Sequence, residues 1–598
     1  MRAGGGSVMR AGGASVKATD MKTHSHTNGH HESSTELSVH AALAGKHVLV
    51  TGVTGFLGKV WLGMLLDLVP GIGRVSVLVR PPRRAKGDRA VAATARFEKI
   101  VATSPALRPL RATLGAALGT YLDGKLDVVA GDVAEPLCGI DAGVLERLAA
   151  SVDLVVHFAG LTDFEPDPKD AVEVNVRGAM NVADVTARLR VPRLVHFSTC
   201  FVAGQRDGDV FETRATGLMP DGRPLDAQLA VATLLARADA AEAGSERRGA
   251  ALRRVRAEAG GVYARECAFP NTYTFSKAIA EQLLAERNDV RVSVVRPAIV
   301  ECARSYPFPG WNEGINTSGP LVWLLAGPFF ELPSRPENHF DVVPVDDVAK
   351  GTMLVVAAAL QDTPLDVAQM GTSHQRPFTV GRAIELTGLG VRKHHERPGA
   401  SKLEKLLFRY LDAVPVPAES DSMFAIPRLR RHAKTVRTWL EGARIDETLP
   451  SPLKKLVGQQ VSRTQLRAHM ATSGLETVLR RVDQMLVLYK PFIHDHDWIF
   501  RTDRIDALSA RLAPAERANF AWNVRDLDWR TYWLDVQIPG LAAWCLPLMN
   551  GKSVPDDAPA EPRLRLAGST LALPANVPAA HGNGAHIAPV ANGAEARA

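Results

Sequence analysis

Residues His47-Val48-Leu49-Val50-Thr51-Gly52-Val53-Thr54-Gly55-Phe56-Leu57-Gly58 constrain this chain more than any other stretch. The apolar start reads as a buried strand. Gly52, Gly55 and Gly58 then turn the chain into a helix. Glycine at such points permits a tight turn, close approach of backbone to a phosphate, and close packing of helix on strand. The helix start offers free N–H groups and a partial positive charge to a pyrophosphate. Leu57, Trp61, Met64, Leu65 and Leu68 repeat at helical spacing, and Pro70 closes the segment. Strand, glycines and helix in that order predict a dinucleotide site. Without those flanks, the glycines would mark only a strand–turn–helix corner.

Residues 74–80, 126–132, 154–160 and 194–199 read as further strands. Strands alternating with helices predict an α/β fold with a doubly wound parallel sheet of Rossmann type. Ligands of such sheets sit at the carboxyl ends of the strands. Polar residues fall there. Asp132 ends the third strand, where it can contact adenine. Ala159 and Gly160 end the fourth and leave room for a cofactor, and Asn175 lies in the helix that follows. Ser198 and Thr199 end the fifth. Arg80 stands where an NAD site usually carries an acid, and Arg83, Arg84 and Lys86 follow it. A guanidinium pairs with a 2′-phosphate that an acid would repel, so NADPH is the expected cofactor.

Pro270-Asn271-Thr272-Tyr273-Thr274-Phe275-Ser276-Lys277-Ala278-Ile279-Ala280-Glu281 begins a helix that puts Tyr273 and Lys277 on one face. A cation beside a phenol favours phenolate and brings its pKa nearer neutral pH. Lysine can also bind the nicotinamide ribose. Tyrosine can then give a proton to a carbonyl oxygen as hydride reaches carbon. A hydroxyl at the fifth strand's end would polarise the same oxygen. The Tyr–Lys spacing alone is common; the preceding glycine motif gives it meaning.

With 598 residues the chain is too long for one simple core. The reading is a tail at 1–40, a Rossmann domain at 41–395, a helical domain at 396–552 and a tail at 553–598. Met9 and Met21 offer alternative starts. Two insertions, about 205–268 and 301–340, are expected to bind substrate. The first is rich in Ala and Arg, and a plain surface excursion fits it equally well. The net charge of +7 suits anionic ligands or a membrane surface and is no nucleic-acid signature. Five scattered cysteines read as reduced thiols of a cytoplasmic protein, not as a zinc site. His494 and His496, with acids nearby, read as a solvated turn, so no metal is expected. No apolar run reaches the roughly 20 residues of a membrane span. Residues 319–330 come nearest and could line an acyl pocket, touch a membrane or be core. Asp346 and Asp347 are expected to cap a helix, and the aromatics of 520–533 to form core.

The glycine motif with Tyr273 and Lys277 resembles the extended short-chain dehydrogenase/reductase superfamily. More closely, the chain resembles the fatty acyl-CoA reductases, particularly the alcohol-forming ones. Val77-Leu78-Val79-Arg80-Pro81, Gly131-Asp132-Val133, Val295-Arg296-Pro297-Ala298-Ile299-Val300 and Pro307-Phe308-Pro309-Gly310-Trp311-Asn312 carry that likeness over residues 45–390. Residues 520–533 resemble the C-terminal "sterile" domain of the same enzymes. The resemblance implies NADPH contacts through Gly52, Thr54, Gly55, Phe56, Leu57 and Gly58. It implies further contacts through Arg80, Asp132, Val133, Ala159, Asn175, Tyr273, Lys277, Pro297 and Ile299. In the related enzymes the active hydroxyl sits about five residues before a glycine, so the resemblance implies Thr199, five before Gly204, with Ser198 the alternate. Cys200-Phe201 occupies the region where the family often has a tyrosine. A nucleophilic role for Cys200 is disfavoured, because the superfamily reduces acyl-CoA directly.

The implied reaction is NADPH-dependent reduction of long-chain acyl-CoA to the primary alcohol, through the aldehyde and with release of CoA. Tyr273 is the expected proton donor, and peripheral membrane association is an associated expectation. Arg253 and Arg254 are expected to meet the CoA phosphates. The alternatives are an aldehyde-forming acyl-CoA or acyl-carrier-protein thioester reductase, a sugar or sterol dehydrogenase of the same superfamily, and a non-catalytic NADPH-binding interaction protein.

Overall fold

The computed structural model describes residues 36–82, 87–214, 216–315, 318–325, 331–395, 414–417, 479–480, 482–549 and 551–554. Two compact units divide the chain, Met1–Glu36 and Leu37–Ala598. Of the first, Glu36 alone is described, and it is exposed. Arg83, Arg84, Lys86 and most of the expected helical domain before residue 479 lie outside the described residues.

A seven-stranded parallel sheet organises the second unit. Its strands are β1 (His47–Thr51), β2 (Arg74–Val79), β3 (Leu126–Ala130), β4 (Leu154–His157), β5 (Arg193–Phe197), β6 (Arg291–Pro297) and β7 (Val367–Met370). Their spatial order is β7-β6-β5-β4-β1-β2-β3. The chain winds outward from β1 through β3, then returns to the other side of β1 with β4. That reversal opens a crevice between β1 and β4 at their carboxyl ends, where open α/β sheets bind ligands.

The strand residues divide between two cores by their period of two. Val48, Val50, Val75, Val77, Leu154 and Val156 face one layer. Leu49, Leu78, Val129, Val155 and Leu194 face the other. The first layer takes α1 (Phe56–Leu68) through Val60, Trp61, Met64 and Leu65. The second includes Ala280 and Leu284 of α2 (Thr272–Ala285). Asn271 caps α2 by accepting a 2.9 Å bond from Thr274 N. A third long helix, α3 (Val345–Leu360), packs with α1 in the first layer.

Several expectations are adjusted by these contacts. Within the expected tail at 1–40, Leu37 and Val39 are buried, as is Leu43 just after it, and Val39 N donates to Glu516 at 2.6 Å. Asp346 does not cap α3, whose N-cap is Pro344 without a side-chain bond. Its carboxylate instead accepts from Arg304 N at 2.7 Å and Ser305 N at 2.8 Å, pinning the loop that follows β6. The helices Ala227–Ala243 and Gly249–Glu266 press Leu234 and Ala264 against Phe275 and Ile279 of α2. The first insertion thus buttresses the flank of α2.

Phe520, Trp522, Trp529, Tyr532 and Trp533 are buried, as core residues should be. Trp529 stacks on Phe378 with ring centroids 4.4 Å apart, and Trp533 Nε1 donates to Thr387 Oγ1 at 2.9 Å. The C-terminal region is mainly helical among its described residues, with short strands at Val414–Val416 and Trp498–Phe500. No helix among the described residues is long and apolar enough to cross a membrane.

Candidate active site

The turn from β1 into α1 needs its glycines for steric reasons. Gly52 has φ +75°, and a Cβ there would lie 2.4 Å from Ala159 N in the loop after β4. A Cβ on Gly58 would lie 2.4 Å from the Gly52 carbonyl oxygen. Gly55 caps α1 without a side-chain hydrogen bond, so the first-turn amides stay open. An open helix start over a side-chain-free turn can receive an anionic diphosphate.

Helix α2 brings the second set. Lys277 Nζ donates to the Phe197 carbonyl at 2.8 Å, fastening α2 to the end of β5. The Tyr273 and Thr199 hydroxyls share a hydrogen bond. Thr199 Oγ1 also lies 3.4 Å from the Pro297 carbonyl, which it can reach as donor. Burial pushes the Tyr273 phenol up to about 12, opposed by its bond with Thr199. Burial pulls the Lys277 ammonium down to about 8, opposed by Glu281. The expected drop in the phenol's pKa is therefore reversed: desolvation is the leading cause, and Lys277 is engaged by a carbonyl. A phenol protonated at neutral pH is the state a proton donor requires.

One cavity of about 790 Å³ joins these pieces. Gly52, Gly55, Phe56, Leu57 and Gly58 line it together with Tyr273 and Lys277. Ser198, Thr199, Pro297 and Ile299 complete the part anticipated from sequence. Ser198 Oγ is buried without a protein hydrogen-bond partner. A ligand's polar group would satisfy it, since an unpaired buried hydroxyl is costly.

Other expected contacts stand back from the cavity surface. Arg80 and Asp132 face each other at 3.8 Å, just past the ends of β2 and β3. Asn175 is a brace: its side chain accepts from Leu161 N at 2.7 Å and donates to Ser276 Oγ at 2.9 Å. Thr54, Val133 and Ala159 are not among the lining residues either. Val133 is buried in the second layer, and Ala159 N approaches the turn at Gly52. Cys200 is buried, donates to the Arg296 carbonyl at 2.9 Å, and is pushed well above the usual thiol range by burial. Such a thiol makes a poor nucleophile.

No described residue of the first insertion is among the lining, and Arg253 and Arg254 are exposed. The second contributes Glu313, Gly314, Ile315 and Pro320. Sequence reasoning missed Phe164, in the loop after β4. It also missed Gln484, Met485, Leu488, Tyr489 and Phe492. Their only sequence signal is helical spacing in a region far along the chain.

The catalytic and C-terminal regions are also joined by a buried polar hub. Glu301 accepts from Ser318 N at 3.0 Å and from Gln537 Nε2 at 2.6 Å. Burial pushes its carboxyl up to about 7.

Residues 50–352 match the NAD-binding domain model of the male sterility protein family, and 456–547 match that family's Sterile domain model. The chain belongs to the male sterility protein family. The chain is 26% identical, over 84% of its length and 79% of the relative's, to chloroplastic fatty acyl-CoA reductase 2 of Arabidopsis thaliana. It is 25% identical to an alcohol-forming fatty acyl-CoA reductase of Simmondsia chinensis, covering 83% of this chain and 97% of that one. Among solved structures, the reductase domain of a nonribosomal peptide synthetase from Mycobacterium tuberculosis aligns with a TM-score of 0.46. Its identity is 17%, and the match covers 86% of this chain and 95% of that one.

Proposed function

We propose that this chain is an NADPH-dependent fatty acyl-CoA reductase that forms the primary alcohol through the aldehyde and releases CoA. The observation that carries this reading is a single cavity. It combines an open helix start over a glycine turn, a half-buried Tyr273 paired with the buried Thr199, Lys277 on the same helix face, and a wall that carries Phe164, Phe201, Met485, Leu488, Tyr489 and Phe492. The names of the relatives support the substrate class.

The residues fit a dinucleotide. Gly52 and Gly58 let backbone pass against backbone where any Cβ would clash, which leaves the open start of α1 facing the cavity, and Ser198 Oγ waits for a polar partner. The start of α1 would hold the diphosphate, and Lys277 the nicotinamide ribose. Arg80 would hold the 2′-phosphate. When bound, NADPH supplies hydride to the substrate carbonyl carbon. Thr199 donates a hydrogen bond to the carbonyl oxygen and stabilises the charge that develops there. Collapse of the thioester adduct expels CoA and leaves an aldehyde. In the second reduction, Tyr273 gives its proton to the aldehyde oxygen, and Lys277 beside it favours the phenolate left behind.

The direct test gives purified protein palmitoyl-CoA and NADPH. Free CoA and hexadecanol are expected. NADPH binding without CoA release would reject the substrate assignment. Two further outcomes follow from the geometry. Arg80→Asp is expected to raise the KM for NADPH by about 10- to 100-fold, the worth of one charge-assisted contact, and to leave the KM for NADH nearly unchanged. Equal loss with both cofactors would show that Arg80 does not read the 2′-phosphate. The second concerns pH. An ammonium near 8 is charged below that pH and neutral above it. Reduction is therefore expected to slow as pH rises through about 8. Lys277→Arg, whose guanidinium keeps its proton, should move that limb upward. A wild-type profile flat across this range would count against a charged Lys277 in the reaction.

A further inference from the structure

We infer that the cavity-facing side of residues 482–492 is the wall that measures the acyl chain, with Leu488 as the residue that sets its length. The inference rests on the functional reading above and adds where the chain lies.

Gln484, Met485, Leu488, Tyr489 and Phe492 all line the cavity that holds Thr199 and Tyr273. Their spacing repeats with the helical turn, so they form one face of a continuous helical segment. Residues 482–490 are helical, and Pro491–Asp495 continues them as a π-helical turn. Val487, between them in sequence, turns away and is 61% exposed. Across from this face stand Phe164 and Phe201. Phe164 lies 5.3 Å from Phe492 and 5.6 Å from Tyr489, centroid to centroid, and Phe201 lies 4.9 Å from Phe492. The cavity thus runs from a side-chain-poor turn suited to phosphates to aromatic and aliphatic walls. A flexible hydrocarbon chain is the ligand those walls would desolvate.

The wall residues differ in what they can tolerate. Tyr489 and Phe492 are buried within the aromatic group, so changing them would disturb packing. Leu488 is half-buried and belongs to no ring contact. A larger side chain there fills cavity space, and a smaller one adds it. Each methylene of substrate denied burial is expected to cost roughly fourfold in kcat/KM.

The experiment compares Leu488→Trp and Leu488→Ala with wild type on acyl-CoAs from decanoyl to stearoyl, with NADPH affinity as the control. Leu488→Trp is expected to lower kcat/KM for palmitoyl-CoA at least about tenfold more than for decanoyl-CoA. Leu488→Ala is expected to shift the preference toward longer chains. NADPH affinity should stay unchanged in both. Should the tryptophan variant fail to fold, the alanine variant, which keeps helix propensity, decides. Variants that change all chain lengths by the same factor would overturn the inference and leave the reductase reading intact. Wild type that binds NADPH yet reduces no acyl-CoA of any length would overturn both.

Discussion

Tyr273→Phe lowers turnover of acyl-CoA to alcohol by roughly 10²- to 10⁴-fold, the usual span for removing a positioned proton donor. The ring stays and only the hydroxyl goes, so packing against α2's neighbours is kept. Cofactor affinity should hold, because the turn at Gly52 and Gly58 and the Lys277 side chain are untouched. Thr199 loses its hydrogen-bond partner but retains the Pro297 carbonyl within reach. Thr199→Val should reduce turnover as well, through a different loss: the oxygen then lacks a hydrogen-bond donor. Rapid reduction by Tyr273→Phe would remove the phenol from the chemistry.

Arg296→Met should destabilise the fold by about 3–5 kcal/mol, read by chemical denaturation. Arg296 Nε donates to Glu281 at 3.0 Å, and the two side chains are only 1% and 3% exposed. The pair ties β6 to α2, one helical turn beyond Lys277. Removing the guanidinium strands a carboxylate in the core, which costs more than the pair itself is worth. The double variant Glu281→Met with Arg296→Met should recover much of the loss, because two apolar side chains can fill the same space. A single variant as stable as wild type would mean that the buried pair contributes little to the fold. The same lock positions Tyr273 and Lys277, so the single variant should also lose activity below its unfolding transition.

What could be read from sequence follows the range of the interaction. The glycine turn, α1 and the Tyr273–Lys277 face are local patterns, and each lies where its spacing predicted. Five strands were legible from apolar runs. Strand β6 was visible only as a family motif, and β7, whose Val367-Ala368-Gln369-Met370 is interrupted by a polar residue, shows no apolar run. Glu281 was in view on the stripe of Tyr273 and Lys277, yet its partner Arg296 is found only by folding. The wall at 484–492 was hidden for the same reason: more than 200 residues separate Phe492 from Tyr273 in the chain. The first insertion left two readings open in sequence, substrate contact or a plain surface excursion; its apolar side packs on α2, a long-range contact that the Ala- and Arg-rich composition does not reveal. The Tyr273 shift was expected in the wrong direction because charge was weighed without burial.

The most direct measurement of the central claim is the ratio of NADPH consumed to CoA released, with the lipid product identified. Two NADPH per CoA and hexadecanol are expected from palmitoyl-CoA. One NADPH per CoA with accumulating aldehyde would contradict it and make the protein a reductase that stops after a single hydride.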